Sequence, residues 1–219
     1  MPTQTKENYL KAIFSISQKG DTISITALSE AMEVSKPTVN NMVKKLEEKG
    51  WVLYEKYKPL KLTPKGKKEA ALIVRKHRLA EMFLADKMGF GWEEVHDIAE
   101  EMEHLHSDKL FERMDEMLGF PTIDPHGSPI PDKTGNILDP KYLKLPSIQI
   151  GETVKLSGLA NSTKELLLYL NKKGLELGSR FQVKQIESFD NSTEVVLENK
   201  MQSITLSAAV CQCLLVEKI

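Results

Sequence analysis

At 219 residues the chain has room for two or three small domains with cores of their own. No apolar run reaches the roughly 18 residues that a membrane-spanning helix needs, which excludes a helical membrane protein, and two cysteines are too few for a disulfide scaffold. The net charge of −1 hides an uneven distribution: residues 1–76 carry 15 Lys and Arg against 8 Asp and Glu, residues 77–145 carry 7 against 15, and residues 146–219 carry 8 against 8.

A basic first third points to a polyanionic partner and an acidic middle third to a cation, with an unevenly solvated surface as the plain alternative. The opening "MPTQTKENYLKAIF" has no secretory-signal pattern, so a cytoplasmic location is expected. Cys211 and Cys213, in "AVCQCLLVEKI", read as alternate residues of a strand. Side by side on one face they make a poor disulfide, which suits buried thiols in a reducing compartment.

In "ENYLKAIFSIS", Tyr9, Leu10, Ile13, Phe14 and Ile16 recur at helical spacing and predict a helix over residues 5–17. Gly20 and Asp21 end it, and Thr26 is placed to cap a short second helix, "ALSEAME". A turn at Val34–Ser35 follows. Ser35 then caps a third helix, "KPTVNNMVKKLEEKG", with Pro37 in its first turn, Val39, Met42, Val43 and Leu46 inward, and Gly50 as its stop. Two short helices joined in this way form a helix-turn-helix.

The next segment, "WVLYEKYKPLKLTPKGKK", reads as a two-stranded hairpin built on Trp51, Leu53, Leu60 and Leu62, with Lys56, Lys58 and Lys61 at its tip. Thr63 and Pro64 then open another helix. Helix-turn-helix followed by a basic hairpin is the pattern of a winged helix. On its reading helix Ser35, Pro37, Thr38, Asn40 and Asn41 face outward, with Lys36, Lys44 and Lys45 beside them. Asn can bond adenine bidentately, Thr or Pro can touch a thymine methyl, and the lysines, with Lys56 and Lys58, supply phosphate attraction. Winged helices also serve protein contacts, and the basic charge of this third tips the reading to DNA.

From Trp92 to Leu118 there is neither Pro nor Gly until Gly119, and apolar residues at 95, 98, 99, 102, 105, 111, 114 and 118 predict one amphipathic helix. At about 100° per residue from His96, Glu100 falls near +40°, Glu103 near −20° and His104 near +80°, so the four share one sector. Crowded carboxylates repel unless a cation relieves them, and mixed imidazole and carboxylate donors suit first-row divalent metals. A solvated acidic face is the alternative. A second pair, His77 and Glu81 at i and i+4 in "RKHRLAE", favours metal.

Taken together, "RKHRLAE", "VHDIAEEMEHLHSD" and "FPTIDPHGSPIP" resemble the metal-dependent repressors of the diphtheria-toxin-repressor (DtxR/MntR) family. The resemblance covers nearly the whole chain. It implies a mainly α protein with small β parts: a winged helix at 1–72, a helical metal-binding and dimerisation domain at 73–138, a linker at 139–146 ("DPKYLKLP"), and a small SH3-like (FeoA-like) barrel at 147–219. The barrel reading agrees with the strand-like runs "IQIGETVKLSGL", "GSRFQVKQIES", "STEVVLEN" and "SITLSAAVCQCLLVEKI", with "STKELLLYLNKKG" a helix among them.

The resemblance also implies two metal positions per subunit. Asn8, Glu100, Glu103 and His104 match the first, and His77, Glu81 and His96 match the second, to which Asp124, His126 and Glu165 would add loop and barrel ligands. Asn8 stands where the family pattern has Asp, and Glu100 follows the manganese type rather than the sulfur-bearing iron type. The implied cofactor is Mn²⁺, with Fe²⁺ as the alternative.

The implied function is a homodimeric, metal-sensing repressor of a palindromic double-stranded operator, with neither a membrane nor a small organic substrate as partner and no enzymatic activity. Two rival readings are a metal-dependent hydrolase using the Glu/His cluster and a winged-helix regulator sensing an organic ligand. The first lacks an H-E-x-x-H or nucleophile signature. The second predicts an apolar pocket and indifference to chelators.

Overall fold

Residues 4–18, 20, 22–55, 58–198 and 202–219 (the side chain of Gln202 aside) are described by a computed structural model of the chain. They fall into two units. The first comprises Met1–Ala80, Ala99–Thr122 and Ile130–Leu138, and the second Glu81–Ile98, Ile123–Pro129 and Asp139–Ile219. Among the described residues no helix is long and apolar enough to cross a membrane.

The first unit begins with helices α1 (Gln4–Gln18), α2 (Ile25–Ala31) and α3 (Lys36–Glu48). Their apolar faces bury Leu10, Ile13, Leu28, Val39, Val43 and Leu46 completely, together with Trp51 and Leu60 from the following segment. Ser35 caps α3 as expected. The cap of α2, however, is Ser24 and not Thr26: Ser24 has extended backbone and its Oγ accepts the Ala27 N–H at 3.0 Å. Thr26 already lies inside the helix, where its side chain has no free N–H ahead of it to serve.

The hairpin is short. β1 (Val52–Leu53) pairs antiparallel with β2 (Lys61–Leu62), with Val52 opposite Leu62 and Leu53 opposite Lys61. Strand alternation sends Val52 and Leu62 inward, so Leu53 is 58 % exposed, and Lys61 is on a strand and not at the tip. Lys56 falls outside the described residues. α4 (Pro64–Met88) starts on a Thr63 cap, where Thr63 Oγ1 accepts the Gly66 N–H at 2.9 Å. A Cβ on Gly66 would lie 1.9 Å from the Trp51 carbonyl oxygen, so only glycine lets α4 begin this close to the hairpin.

The single helix expected from Trp92 to Leu118 is in fact two: α5 (Val95–Met102) and α6 (Asp108–Met117). Ser107 takes an extended conformation at the N-terminus of α6, and the chain turns through Glu103 and His104. Apolar periodicity runs on across the break because both helices bury one face, so periodicity alone gave no warning. Ser107 followed by Asp108 was the local signal of a new start. The shared angular sector therefore does not extend to Glu103 and His104, which lie beyond the end of α5. In this unit α4 and α6 are also tied by a buried pair, Arg75 Nη2 to Asp115 Oδ2 at 2.5 Å.

The second unit is built on a six-stranded antiparallel sheet in the order β3-β8-β4-β5-β6-β7. Its strands are β3 (Leu143–Lys144), β4 (Thr153–Leu159), β5 (Arg180–Ile186), β6 (Thr193–Leu197), β7 (Gln202–Leu206) and β8 (Leu214–Lys218). Helix α7 (Lys164–Lys173) runs from a Thr163 cap to Gly174 in the left-handed region. The core gathers Leu156, Leu170, Phe181, Val195 and Leu214. β3 lies inside the stretch read as a linker and pairs with β8, so that stretch ends in the sheet. Cys211 and Cys213 are on a short helix, α8 (Ala208–Cys213), and not on a strand: Ser207 caps it by accepting the Val210 N–H. Both thiols are free and Cys211 is buried.

Candidate metal centres

Among its described residues the first unit holds a group of acids and imidazoles. His77 on α4 and Glu100 and Glu103, at and just past the end of α5, present ligand-type atoms within 4.8 Å of one another. His77 Nδ1 is 2.7 Å from Glu103 Oε2 and 3.8 Å from Glu100 Oε2. Glu103 is only 1 % exposed, so its charge depends on protein partners. Lys11 of α1 supplies one: its Nζ donates to Glu100 Oε2 at 2.6 Å and to both Glu103 oxygens at 2.8 and 2.9 Å.

His104, expected among the ligands of the first position, turns its Nδ1 to Glu7 Oε2 at 2.5 Å and its Nε2 towards Glu103 Oε1 at 3.7 Å. Asn8 stands between Glu7 and Lys11 on α1. Its Oδ1 is buried with no hydrogen-bond partner, an unusual loss for a carbonyl oxygen. The two carboxylates and the His77 imidazole make a donor set that fits a divalent cation.

The second unit holds another group. Glu81, Asp124 and His126, all buried, bring ligand-type atoms within 4.8 Å of one another. His96, largely exposed, has its Nδ1 3.3 Å from Glu81 Oε1. The "IDPHG" loop is shaped by Asp124, whose Oδ1 accepts the N–H groups of His126 at 2.8 Å and Ser128 at 2.9 Å. Burial alone would lower the pKa of His126, but the neighbouring Glu81 and Asp124 carboxylates outweigh it and raise the value above the ordinary histidine range. Three buried groups of this kind also fit a divalent cation. Glu165 does not join them: it is exposed in the first turn of α7.

On α3, Ser35, Lys36, Pro37, Thr38, Asn41, Lys44 and Lys45 are exposed. Ser35 Oγ and Thr38 Oγ1 share a hydrogen bond of 2.9 Å. Asn40 is less open than expected, since its Nδ2 donates to the Lys36 carbonyl at 3.1 Å and its Oδ1 accepts from the Tyr54 hydroxyl at 2.9 Å. Lys58 is exposed and paired with Glu55 at 2.5 Å.

Three family models match in chain order. Residues 1–60 match the iron-dependent repressor N-terminal DNA-binding domain, 63–132 its metal-binding and dimerisation domain, and 143–218 the FeoA domain. A solved structure described as a manganese-dependent transcriptional repressor in complex with manganese is 33 % identical, covers 98 % of this chain and 100 % of its own, and superposes with a TM-score of 0.87. The chain belongs to the DtxR/IdeR family of iron- and manganese-dependent repressors.

Two further relatives frame this DtxR/IdeR member. ScaR with bound Zn²⁺ is 33 % identical over the full length of both chains with a TM-score of 0.79. The iron-dependent repressor IdeR of Mycobacterium leprae (strain TN) is 29 % identical over 98 % of this chain and 97 % of its own. Within this DtxR/IdeR chain, sequence reasoning missed Glu7, Lys11, Trp92 and Tyr54. Glu7 and Lys11 flank Asn8 at i−1 and i+3 on a helix already read as contributing a ligand, and that adjacency was the available signal. Trp92 and Tyr54 reach their partners only through the tertiary fold.

Proposed function

We propose that the chain is a homodimeric repressor that grips a palindromic operator when divalent metal, Mn²⁺ first and Fe²⁺ second, is bound at two sites in each subunit. The first site would be held by Glu100, Glu103, His77 and His104 with Asn8, and the second by Glu81, Asp124 and His126 with His96. The observation that carries this reading is the meeting, in one unit, of α1 from the DNA-binding segment with the buried carboxylate of Glu103 from the dimerisation segment. Lys11 and Glu7 reach from α1 to Glu103 and His104, and Asn8, which lies between them in sequence, carries a buried oxygen without a hydrogen-bond partner.

When bound, the cation supplies positive charge that relieves the Glu100–Glu103 repulsion and offers bonds to donors from both segments. The residues do the rest. Glu103 and Glu100 hold the dimerisation side of the junction, and Asn8 offers an oxygen from the winged-helix side. Fixing α1 against α5 limits how far α3 can wander, and a palindromic site needs two reading helices at one set separation. The coupling is reciprocal, so operator DNA tightens metal binding by the factor by which metal tightens DNA. The oxygen-rich donor set favours Mn²⁺, although Fe²⁺ accepts the same ligands. On α3, Asn41 offers a free amide to a base edge, while Asn40 is held by Tyr54.

The test is to select binding fragments from a random DNA pool with Mn²⁺ present, then measure affinity for the selected sequence with Mn²⁺, with Fe²⁺ and after chelation. Binding should fall at least about tenfold on chelation, equivalent to about 1.4 kcal/mol. Undiminished binding by thoroughly stripped protein would overturn the reading.

A further inference from the structure

The second group contains an imidazole whose orientation is decided by a residue outside the group. His126 Nε2 lies 2.8 Å from the backbone carbonyl oxygen of Trp92. A carbonyl only accepts, so Nε2 is the nitrogen that carries the hydrogen, and the ring turns Nδ1 towards Glu81 Oε2 at 3.8 Å. The Trp92 indole lies near-parallel to the same imidazole, with ring centroids 6.3 Å apart and planes 19° apart. One residue therefore fixes both the tautomer and the tilt of His126.

Trp92 is in turn held by the barrel. Its Nε1 donates to Asn171 Oδ1, on α7, at 2.7 Å, and Asn171 Nδ2 donates to Glu93 Oε2 at 3.0 Å. The indole also packs against the barrel core. The backbone on the other side of His126 is clamped as well: its carbonyl accepts the Leu159 N–H at 3.0 Å. Next to it Gly127, at φ +82°, lies so close to β4 that a Cβ there would be 2.3 Å from the Ser157 oxygen.

We propose that Trp92 is the positioning residue of the second metal site: its carbonyl selects the Nδ1 lone pair of His126 as the metal-binding atom, and its Asn171 anchor makes that choice depend on the folded barrel. The barrel thus acts on the site through a clamp on His126. Partners that orient a metal-binding imidazole typically change affinity by about 10- to 100-fold when removed. This inference rests on the reading of Glu81, Asp124 and His126 as a metal site.

The test uses the full chain, stripped of metal and titrated with Mn²⁺ by calorimetry, in four forms: wild type, His126→Gln, Asn171→Ala and Trp92→Ala. His126→Gln should lose one of two Mn²⁺ equivalents. Asn171→Ala and Trp92→Ala should keep both but weaken the second at least about tenfold while leaving the first unchanged. Nitrogen-15 spectra of the imidazoles in the Zn²⁺-loaded protein, with the His126 signals assigned by their absence from His126→Gln, should show hydrogen on Nε2 and metal on Nδ1.

Retention of both equivalents by His126→Gln defeats the site itself. Loss in His126→Gln with undisturbed binding in Asn171→Ala defeats only the clamp, and so does a spectrum with hydrogen on Nδ1. Should Trp92→Ala fail to fold by circular dichroism, Asn171→Ala and the spectra still decide.

Discussion

His104 in the first unit and His126 in the second are each held by one ring nitrogen and turn the other towards a carboxylate, but their holders differ in kind. Glu7, a buried carboxylate on α1, takes His104 Nδ1 at 2.5 Å, whereas His126 Nε2 rests on the neutral carbonyl of Trp92 at 2.8 Å. A carboxylate orients an imidazole and also raises its basicity, while a carbonyl mainly orients it. The difference separates two tasks. The first group is tied to the DNA-binding segment through a charged carboxylate, and the second to the barrel through a neutral carbonyl. The first should therefore govern operator binding, with the second a modulator.

The largest expected effect tests that division directly. Glu103→Gln keeps the shape of a buried side chain that contacts His77 and Lys11 but removes its charge. Mn²⁺ binding at the first site should weaken about 100-fold, or about 2.8 kcal/mol, with metal-dependent operator affinity falling alongside it. The second equivalent should be untouched in the same calorimetric titration. Equal weakening of both would erase the comparison.

Glu7→Ala comes next and sharpens it. Loss of a charged holder should cost between about 10- and 100-fold at the first site, with Glu7→Gln closer to wild type because the amide oxygen still accepts from Nδ1. Lys11→Gln acts in the opposite direction. Its ammonium stands between Glu100 and Glu103, which a cation must share or displace. Removing it should tighten Mn²⁺ binding several-fold, on the order of 1 kcal/mol given its partial exposure. The metal-free protein should melt at lower temperature because the carboxylates are left to repel. No second-site residue should show such a pair of opposed effects.

Legibility from sequence followed the range of the contacts. The α3 cap at Ser35, the Thr163 start and Gly174 stop of α7, and the inward faces of α1 and α3 are local chemistry, and the sequence carried them. The break between α5 and α6 was hidden because both pieces bury one apolar face, and the helix that ends at Cys213 was hidden behind residues that also suit a strand. Among the candidate ligands, a wheel could relate only pairs within one helix, His77 with Glu81 on α4 and His96 with Glu100 on α5, and not Glu103 and His104 past the end of α5. Glu7 with His104, 97 residues apart, and Lys11 with Glu103, 92 apart, could not be related this way, because long-range pairing depends on how helices pack. Trp92 is a further case: its backbone carbonyl does the orienting, and a carbonyl has no signature in a sequence.

A smaller effect concerns the pH dependence of His126. In metal-free protein His126 keeps its proton to a higher pH than an ordinary histidine, because Glu81 and Asp124 outweigh its burial. The stabilisation from that charged form is complete below the unfolded value of about 6.5 and disappears as pH rises through the raised folded value. The melting temperature of wild type should therefore exceed that of His126→Gln most at about pH 6, and the gap should shrink with rising pH. Under the proposed reading Mn²⁺ would take the place of the Nδ1 proton, so its affinity should climb over the same interval.

The smallest expected effect belongs to Glu165, the residue through which the barrel was expected to bind metal directly. It is exposed in the first turn of α7, behind the Thr163 cap, and stands apart from Glu81, Asp124 and His126. An acid in that position favours the positive end of the helix by about 0.3–1 kcal/mol. Glu165→Ala should lower stability by no more than that and leave both Mn²⁺ equivalents at wild-type affinity. The comparison with Asn171→Ala is the informative one, since both lie on α7 and only Asn171 touches Trp92. If Glu165→Ala removed the second equivalent while Asn171→Ala spared it, the barrel would be acting through a ligand, and His126 would owe its orientation to the metal and not to Trp92.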